Sequence, residues 1–177
     1  EFEKAATIKG NLFLNTPALQ TLSCPSLHEV AGDFNLQENI ETPLADFTLP
    51  ELVSVDGVFS MIRSNKLESI RLPKLQTAGS VNFLVGWGVN TLLIPELSEV
   101  NGDLYISSAF ESTVYAHKCN TLLEKIDGLE TLTTLGALKV GVVDGLFTKD
   151  VICDLSNVTF ESLMGNNLPY DFLMTKR

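Results

Sequence analysis

The chain has 177 residues, of which 45% are apolar, so it is long and apolar enough to bury the core of one domain. Its formal charge of −10 repels nucleic acid and anionic lipid surfaces at long range. The apolar residues are spread at short intervals, and no run approaches the roughly 18 residues that a membrane span needs. The sequence therefore predicts no nucleic-acid partner and no transmembrane span in this chain.

The first repeated element is a Gly-x-Φ-x-Φ motif, in which Φ is an apolar residue. It occurs six times, and successive glycines are 22, 25, 22, 23 and 34 residues apart. A period near 23 is too short for a domain and too long for a heptad, so it predicts one supersecondary unit stacked on copies of itself. The six motifs are Gly10-Leu12-Leu14, Gly32-Phe34-Leu36, Gly57-Phe59-Met61, Gly79-Val81-Phe83, Gly102-Leu104-Ile106 and Gly136-Leu138-Val140.

A second block lies between the glycines and centres on Pro25, Pro50, Pro73 and Pro95. Apolar residues precede each proline by 6, 3 and 1 positions and follow it by 2 and 5, as in Leu44, Phe47, Leu49, Leu52 and Val55. Alternation over a few residues predicts strands with one buried face. Each turn is expected to contain two strands, the first ended by the proline, which has no N–H to donate, and the second opened by the glycine at a tight corner.

The chain is expected to form a single domain over residues 1–177, with repeats at about 6–145 and a C-terminal cap at 146–177. Four regular turns run from about Gly10 to Val100, and the fifth carries an insertion. Apolar residues in the insertion recur at helical spacing and predict one helix that stops near Gly128. They are Phe110, Val114, Tyr115, Cys119, Leu122, Leu123 and Ile126. Leu129, Leu132 and Leu135 then resume the repeat, and the cap covers the apolar end of the solenoid.

The three cysteines fall into two groups. Cys24 takes a position that other turns fill with leucine or isoleucine, so it is expected to be a buried thiol. Cys119 and Cys153 lie outside the regular turns, and we expect a disulfide between them worth about 3 kcal/mol; two reduced thiols are the alternative. Asn157-Val158-Thr159 is an N-glycosylation sequon. Together these features favour an extracellular location.

The segment from Leu67 to Leu75, L-x-x-I-x-L-P-x-L followed by a Gly-x-Φ-x-Φ strand, resembles the receptor L domain. This family is a leucine-rich-repeat-like, right-handed parallel β-helix found in the extracellular parts of the insulin and epidermal growth factor receptors. In the regularity of the turn from Ile94 to Ile106, the chain is most similar to the fungal cell-surface proteins of the group. The resemblance implies a secreted glycoprotein, GPI-anchored and associated with the cell wall, and it supplies no catalytic residue.

Binding residues are expected on the outward side of the Gly-x-Φ-x-Φ strands. The register places Phe13, Asn35, Ser60, Asn82 and Tyr105 in one row, polar in the middle and aromatic near its ends. That composition suits a sugar or a protein partner, and an ordinary solvated sheet face is the alternative. Trp87 lies between two glycines and either anchors an interface or folds back over the coil.

Catalysis and metal binding are not expected. Asp33 and Asp103 share a second outward row but fall about 14 Å apart at the usual strand spacing, farther than the roughly 10 Å that paired-carboxylate hydrolases allow. His28 and His117 form no ligand pattern with the cysteines, and no cofactor is implied. The basic residues Arg63, Lys66, Arg71 and Lys74 are interpreted as a solvated face.

These features lead to three hypotheses. The first is a non-catalytic protein of a cell surface or cell wall that presents a rigid sheet face to a glycan or protein partner. The second is a secreted carbohydrate-binding protein or a host-directed effector. The third is a small polysaccharide-degrading β-helix enzyme, which would need clustered carboxylates that the register does not place.

Overall fold

The computed structural model describes residues 4–15, 21–37, 44–62, 67–84, 89–107, 125–136, 138–140 and 159–160. Regular structure in these ranges is almost entirely β-strand, with one short 3-10 turn at Leu129–Thr131. The strands are β1 (Thr7–Ile8), β2 (Leu12–Leu14), β3 (Glu29–Val30), β4 (Phe34–Gln37), β5 (Asp46–Thr48), β6 (Ser54–Ile62), β7 (Ser69–Arg71), β8 (Thr77–Leu84), β9 (Thr91–Leu93), β10 (Glu99–Val100), β11 (Leu104–Ser107), β12 (Lys125–Asp127), β13 (Thr134–Leu135), β14 (Leu138–Val140) and β15 (Thr159–Phe160).

All strand pairs are parallel, and each joins equivalent positions of successive repeats. One sheet has five strands in the order β15-β12-β9-β7-β5, and the other has ten. Because successive repeats add parallel strands to the same sheets, the molecule is a mainly β, parallel solenoid, as the glycine spacing predicts.

The ten-stranded sheet contains two strand positions from each repeat. One is the Gly-x-Φ-x-Φ strand, and the other is a short strand just before the glycine, as in β3 and β10. The expectation of two strands per turn is met where β5 is followed by β6 and β7 by β8, but β9, β10 and β11 give the next turn three strand segments. The short strand forms because Val30, Val55, Ala78 and Val100 are buried and pair with one another from turn to turn. In β6 and β8 it runs continuously into the glycine strand, so Gly57 and Gly79 lie inside a strand instead of opening one.

The prolines separate the two sheets as predicted. The strands β5, β7 and β9 each end two residues before a proline. At Pro73 the N–H of Leu75 donates to the carbonyl of Leu72 at 3.3 Å, and at Pro95 the N–H of Leu97 donates to Ile94 at 3.1 Å. Proline suits the second position of such a four-residue turn because its φ is already near −65°.

The core is a set of apolar columns, each built from one position of the repeat. Leu14, Leu36, Met61, Phe83, Ile106 and Val140 follow one another in register across six parallel strands. Leu36, Met61, Phe83 and Ile106 are buried, so the single file that the repeat predicts is confirmed. Cys24 is a free, buried thiol within the same core, also as expected, and burial raises its pKa.

The region after the fifth glycine differs from its prediction where it is described. Ile126, assigned to a helix by its spacing, lies in β12, which pairs with β9 and β15. Gly128 does not stop a helix; it precedes the 3-10 turn with φ 113°, a left-handed conformation that glycine adopts without strain. Leu129, Leu132 and Leu135 are buried as expected.

The segment 146–177, predicted as a cap, contributes the strand β15 to the edge of the five-stranded sheet. The rest of that segment lies outside the described residues, as does most of the predicted helix at 108–124. Within the described ranges, no helix is long and apolar enough to cross a membrane.

Candidate functional site

The predicted binding residues lie on the outward side of the ten-stranded sheet. Phe13 pairs with Asn35, Asn35 with Ser60, Ser60 with Asn82, and Asn82 with Tyr105. We call these five residues the outer row; its next backbone position is Lys139. The sequence therefore predicts the membership and order of the row correctly.

Exposure varies along the outer row. Phe13 is 61% exposed and lies on β2, the strand at the end of its ladder. Asn35, Asn82 and Tyr105 are half-buried, whereas Ser60 is only 5% exposed. Serine is the shortest side chain in the row, and the register places it between the two asparagines.

The three central side chains have no hydrogen-bond partner within the part of the chain that the structure describes. This holds for the amides of Asn35 and Asn82 and for the hydroxyl of Ser60. Buried polar atoms in folded proteins almost always have a partner, and leaving one without any costs free energy. Ser60 is the buried member of the three, so its hydroxyl is the exception to this rule, whereas the half-buried amides of Asn35 and Asn82 are open to solvent and to a ligand.

A second row, formed by Asn11, Asp33, Val58, Ser80 and Asp103, runs beside the outer row, and we call it the flanking row. The side chains of Asn11, Asp33 and Asp103 are used within the protein. The N–H of Asp33 donates to Asn11 Oδ1 at 2.8 Å, and the N–H of Val58 donates to Asp33 Oδ1 at 2.9 Å. Tyr105 donates its hydroxyl to Asp103 Oδ2 at 2.9 Å, so one end of the outer row is tied to the flanking row.

The two carboxylates of the flanking row are not placed together. The register puts the strands that carry Val58 and Ser80 between Asp33 and Asp103. Among the described residues, no group of three histidine, cysteine, aspartate or glutamate side chains could hold a metal ion.

A separate charged cluster lies at the proline turns. Lys74 Nζ donates to both carboxylate oxygens of Glu51 at 2.8 Å, and His28 Nε2 lies 3.8 Å from Glu51 Oε2. Lys74, which belongs to the predicted solvated basic face, thus has an acidic partner, and Arg71 is exposed. Arg63 and Lys66 lie outside the described residues.

The hydrogen bond from Lys74 is the largest effect that lowers the pKa of Glu51. We expect Lys74→Met to raise that pKa toward the ordinary value for glutamate, and Lys74→Arg to keep it low because the charged donor is retained. An NMR titration of the side-chain carboxyl carbon measures both. Because the pKa of Glu51 is lower in the folded protein than in the unfolded chain, the ion pair stabilises the fold at pH values above the unfolded pKa. This small contribution is lost as the pH falls through the folded pKa. An unchanged pKa in Lys74→Met would contradict the assignment.

The remaining predicted sites lie outside the described residues. They are Trp87, Cys119, Cys153 and the glycosylation site Asn157. Each falls in a segment that leaves the end of a Gly-x-Φ-x-Φ strand and leads to a strand of the five-stranded sheet. The pairing of Cys119 with Cys153 and the modification of Asn157 stay predictions.

Sequence reasoning missed the burial of Ser60 and the use of the flanking row by the backbone. One signal was present: serine is much smaller than its neighbours in the outer row. Comparison of the chain with protein-family models, curated proteins and solved structures gives no match. The likeness to the receptor L domain therefore depends on the repeat motif alone.

Proposed function

We propose that this chain is a non-catalytic extracellular protein of the receptor L-domain type, acting at a cell surface or in a cell wall. It works by presenting the outer row as a binding face. The observation on which this proposal mainly depends is the register of Phe13, Asn35, Ser60, Asn82 and Tyr105 across five parallel strands. At the usual strand spacing of about 4.8 Å, this row extends over about 19 Å.

Rigidity of the face supports the same proposal. The row is part of strands whose inward residues Phe34, Phe59 and Phe83 are fully buried, and a close-packed interior resists deformation. The backbone of a binding face held in this way loses little conformational entropy when a partner binds. Asp33 and Asp103 stand apart, and both are engaged within the protein, which favours binding over hydrolysis.

The test measures binding of fluorescently labelled protein to fungal cell-wall preparations. Asn82→Glu places a charge and a longer side chain at the centre of the outer row, and we expect it to reduce the bound amount at least roughly fivefold. Asn90→Glu is the matched control, because Asn90 is also half-buried but lies outside the row. It carries the same net charge and should bind like the unmodified protein. Equal binding by the two variants, with both folded by circular dichroism, would contradict the proposal.

A further inference from the structure

We infer that the ligand of the outer row is an uncharged linear polysaccharide, which lies along the solenoid axis and crosses the strands at Asn35, Ser60 and Asn82. This inference rests on the proposed function and adds the chemistry and direction of the ligand. It begins from the unused hydrogen-bonding capacity of these three side chains.

The polar groups at the centre of the row define what the ligand must offer. An amide presents two donors and an acceptor, and a hydroxyl presents one donor and two acceptor positions. Asn35, Ser60 and Asn82 together can therefore bind a partner that has donors and acceptors at every step. The hydroxyl groups of a sugar chain meet this need, because each hydroxyl both donates and accepts.

Charge selects a neutral chain. The central three residues carry no charge, and the flanking row places the carboxylates of Asp33 and Asp103 beside them. With a net charge of −10 for the whole chain, an anionic polymer is repelled. The central three residues themselves offer no carboxylate with which a cationic polymer could pair.

The distance between successive residues of the row distinguishes a sugar chain from a peptide. The row has one residue on each strand, so successive residues are one strand spacing apart, about 4.8 Å. An extended peptide advances by about 3.3 Å per residue, so its polar groups lose register with the row after one or two steps. A pyranose ring in an extended chain spans about one strand spacing, so successive rings meet successive row residues.

The ends of the row fit the same ligand. Phe13 exposes 61% of its surface at the outer edge of the sheet, and its ring face suits the C–H face of a sugar ring. Val58, half-buried in the flanking row beside Ser60, adds an apolar contact. A sugar ring has hydroxyl groups around its rim and C–H groups on its faces. The row offers hydrogen bonds at its centre for the hydroxyl groups and an aromatic ring at its edge for the C–H face.

The experiment titrates the protein by calorimetry with hexasaccharides and disaccharides of neutral β-linked glucose, N-acetylglucosamine and mannose, and with an anionic oligogalacturonate. We expect at least one neutral hexasaccharide to bind more tightly than its disaccharide, and the anionic chain not to bind. Ser60→Ala should weaken the hexasaccharide roughly 3- to 10-fold, because one hydrogen bond to the ligand is lost. It should fold normally, since its hydroxyl has no partner among the described residues.

The double variant Asn35→Ala/Asn82→Ala should weaken binding roughly 10- to 100-fold, while Asn90→Ala, the matched amide control, should leave it unchanged. Equal affinities for the double variant and the control would overturn the inference. So would the absence of any neutral hexasaccharide that binds. If cell-wall binding still distinguishes Asn82→Glu from Asn90→Glu in that case, the proposed function stands with another ligand; if it does not, both fail.

Discussion

Replacing Phe59 with alanine is expected to lower the free energy of unfolding by about 3–5 kcal/mol. The Phe59 ring is fully buried and stacks on Phe34 at a centroid distance of 4.8 Å with 9° between the planes. It also packs edge-on against Phe47 of the opposite sheet, with 6.4 Å between the ring centroids, and against Phe83 of the next repeat, with 5.7 Å between the centroids. Removing the ring leaves a cavity between the two sheets, lined by residues of three successive repeats. The surrounding strands cannot move in to fill it without breaking the hydrogen bonds that pair them.

The matched control is Phe13→Ala, which removes the same ring from the same sheet. Because Phe13 is exposed, we expect its loss to change the free energy of unfolding by less than about 0.5 kcal/mol. Urea unfolding followed by circular dichroism measures both variants, and an unchanged slope against urea confirms that the unfolded state is comparable. Similar losses for the two variants would contradict the assignment of Phe59 to the core.

The columns of the solenoid could be predicted from the sequence because they depend only on period and alternation. Leu36, Met61 and Phe83 repeat at 25 and 22 residues, and a parallel pair must bring equal positions of neighbouring repeats together. Once the repeat is recognised, the inward and outward sides of each strand follow from the two-residue alternation. The membership of the outer row follows in the same way.

The exposure and hydrogen bonding of the outer-row side chains could not be predicted, because they depend on side-chain length and on contacts with neighbouring repeats. Asn35 and Asn11 are both outward asparagines on neighbouring positions of the repeat. Asn11 accepts the N–H of Asp33, whereas Asn35 has no side-chain partner within the described residues. No pattern of residue types separates the two cases.

The strand β12 was missed because the turn it belongs to is longer than the earlier ones. Leu92, Ile126 and Phe160 pair in one column and follow each other at intervals of 34 residues instead of about 23. Ile126 also fits a helical spacing with residues before it, and a short apolar segment cannot be assigned to strand or helix by periodicity alone. Pairing with β9 makes this segment a strand, and a tertiary contact of this kind cannot be detected from the neighbouring residues in the sequence.

The sequence predicts tight corners of the backbone at the motif glycines, but the structure indicates a different reason for glycine at these positions. Among the described glycines only Gly128 has a left-handed φ, so the glycines of the motif do not serve to reach that conformation. They stack on one another instead: the N–H of Gly57 donates to Gly32 at 3.1 Å, and the N–H of Gly102 donates to Gly79 at 2.6 Å. The close approach of backbone to backbone leaves no space for a side chain.

Gly79 is the most sensitive member of this stack. Val55 pairs with Ala78 and Val58 with Ser80, so Asp56 and Gly57 together face Gly79 in a bulge. A Cβ on Gly79 would lie 2.6 Å from the Gly57 carbonyl oxygen and would also clash with the Asp56 carbonyl oxygen. Neither atom belongs to a side chain that could turn away. We expect Gly79→Ala to lower the free energy of unfolding by about 2–3 kcal/mol, the usual range for overpacking without relaxation.

Gly10→Ala is the control, because Gly10 begins the same motif at the first repeat and a Cβ there would have no atom within 4 Å. The added methyl restricts the unfolded chain, so we expect no loss and a gain of up to about 1 kcal/mol. Urea unfolding of both variants measures the difference. Equal losses would mean that the motif requires glycine for its backbone conformation, whereas a loss confined to Gly79 means that the stacking of one repeat on the next requires it. In a solenoid each repeat is stabilised only by its neighbours, so a clash at Gly79 separates the repeats before it from those after it.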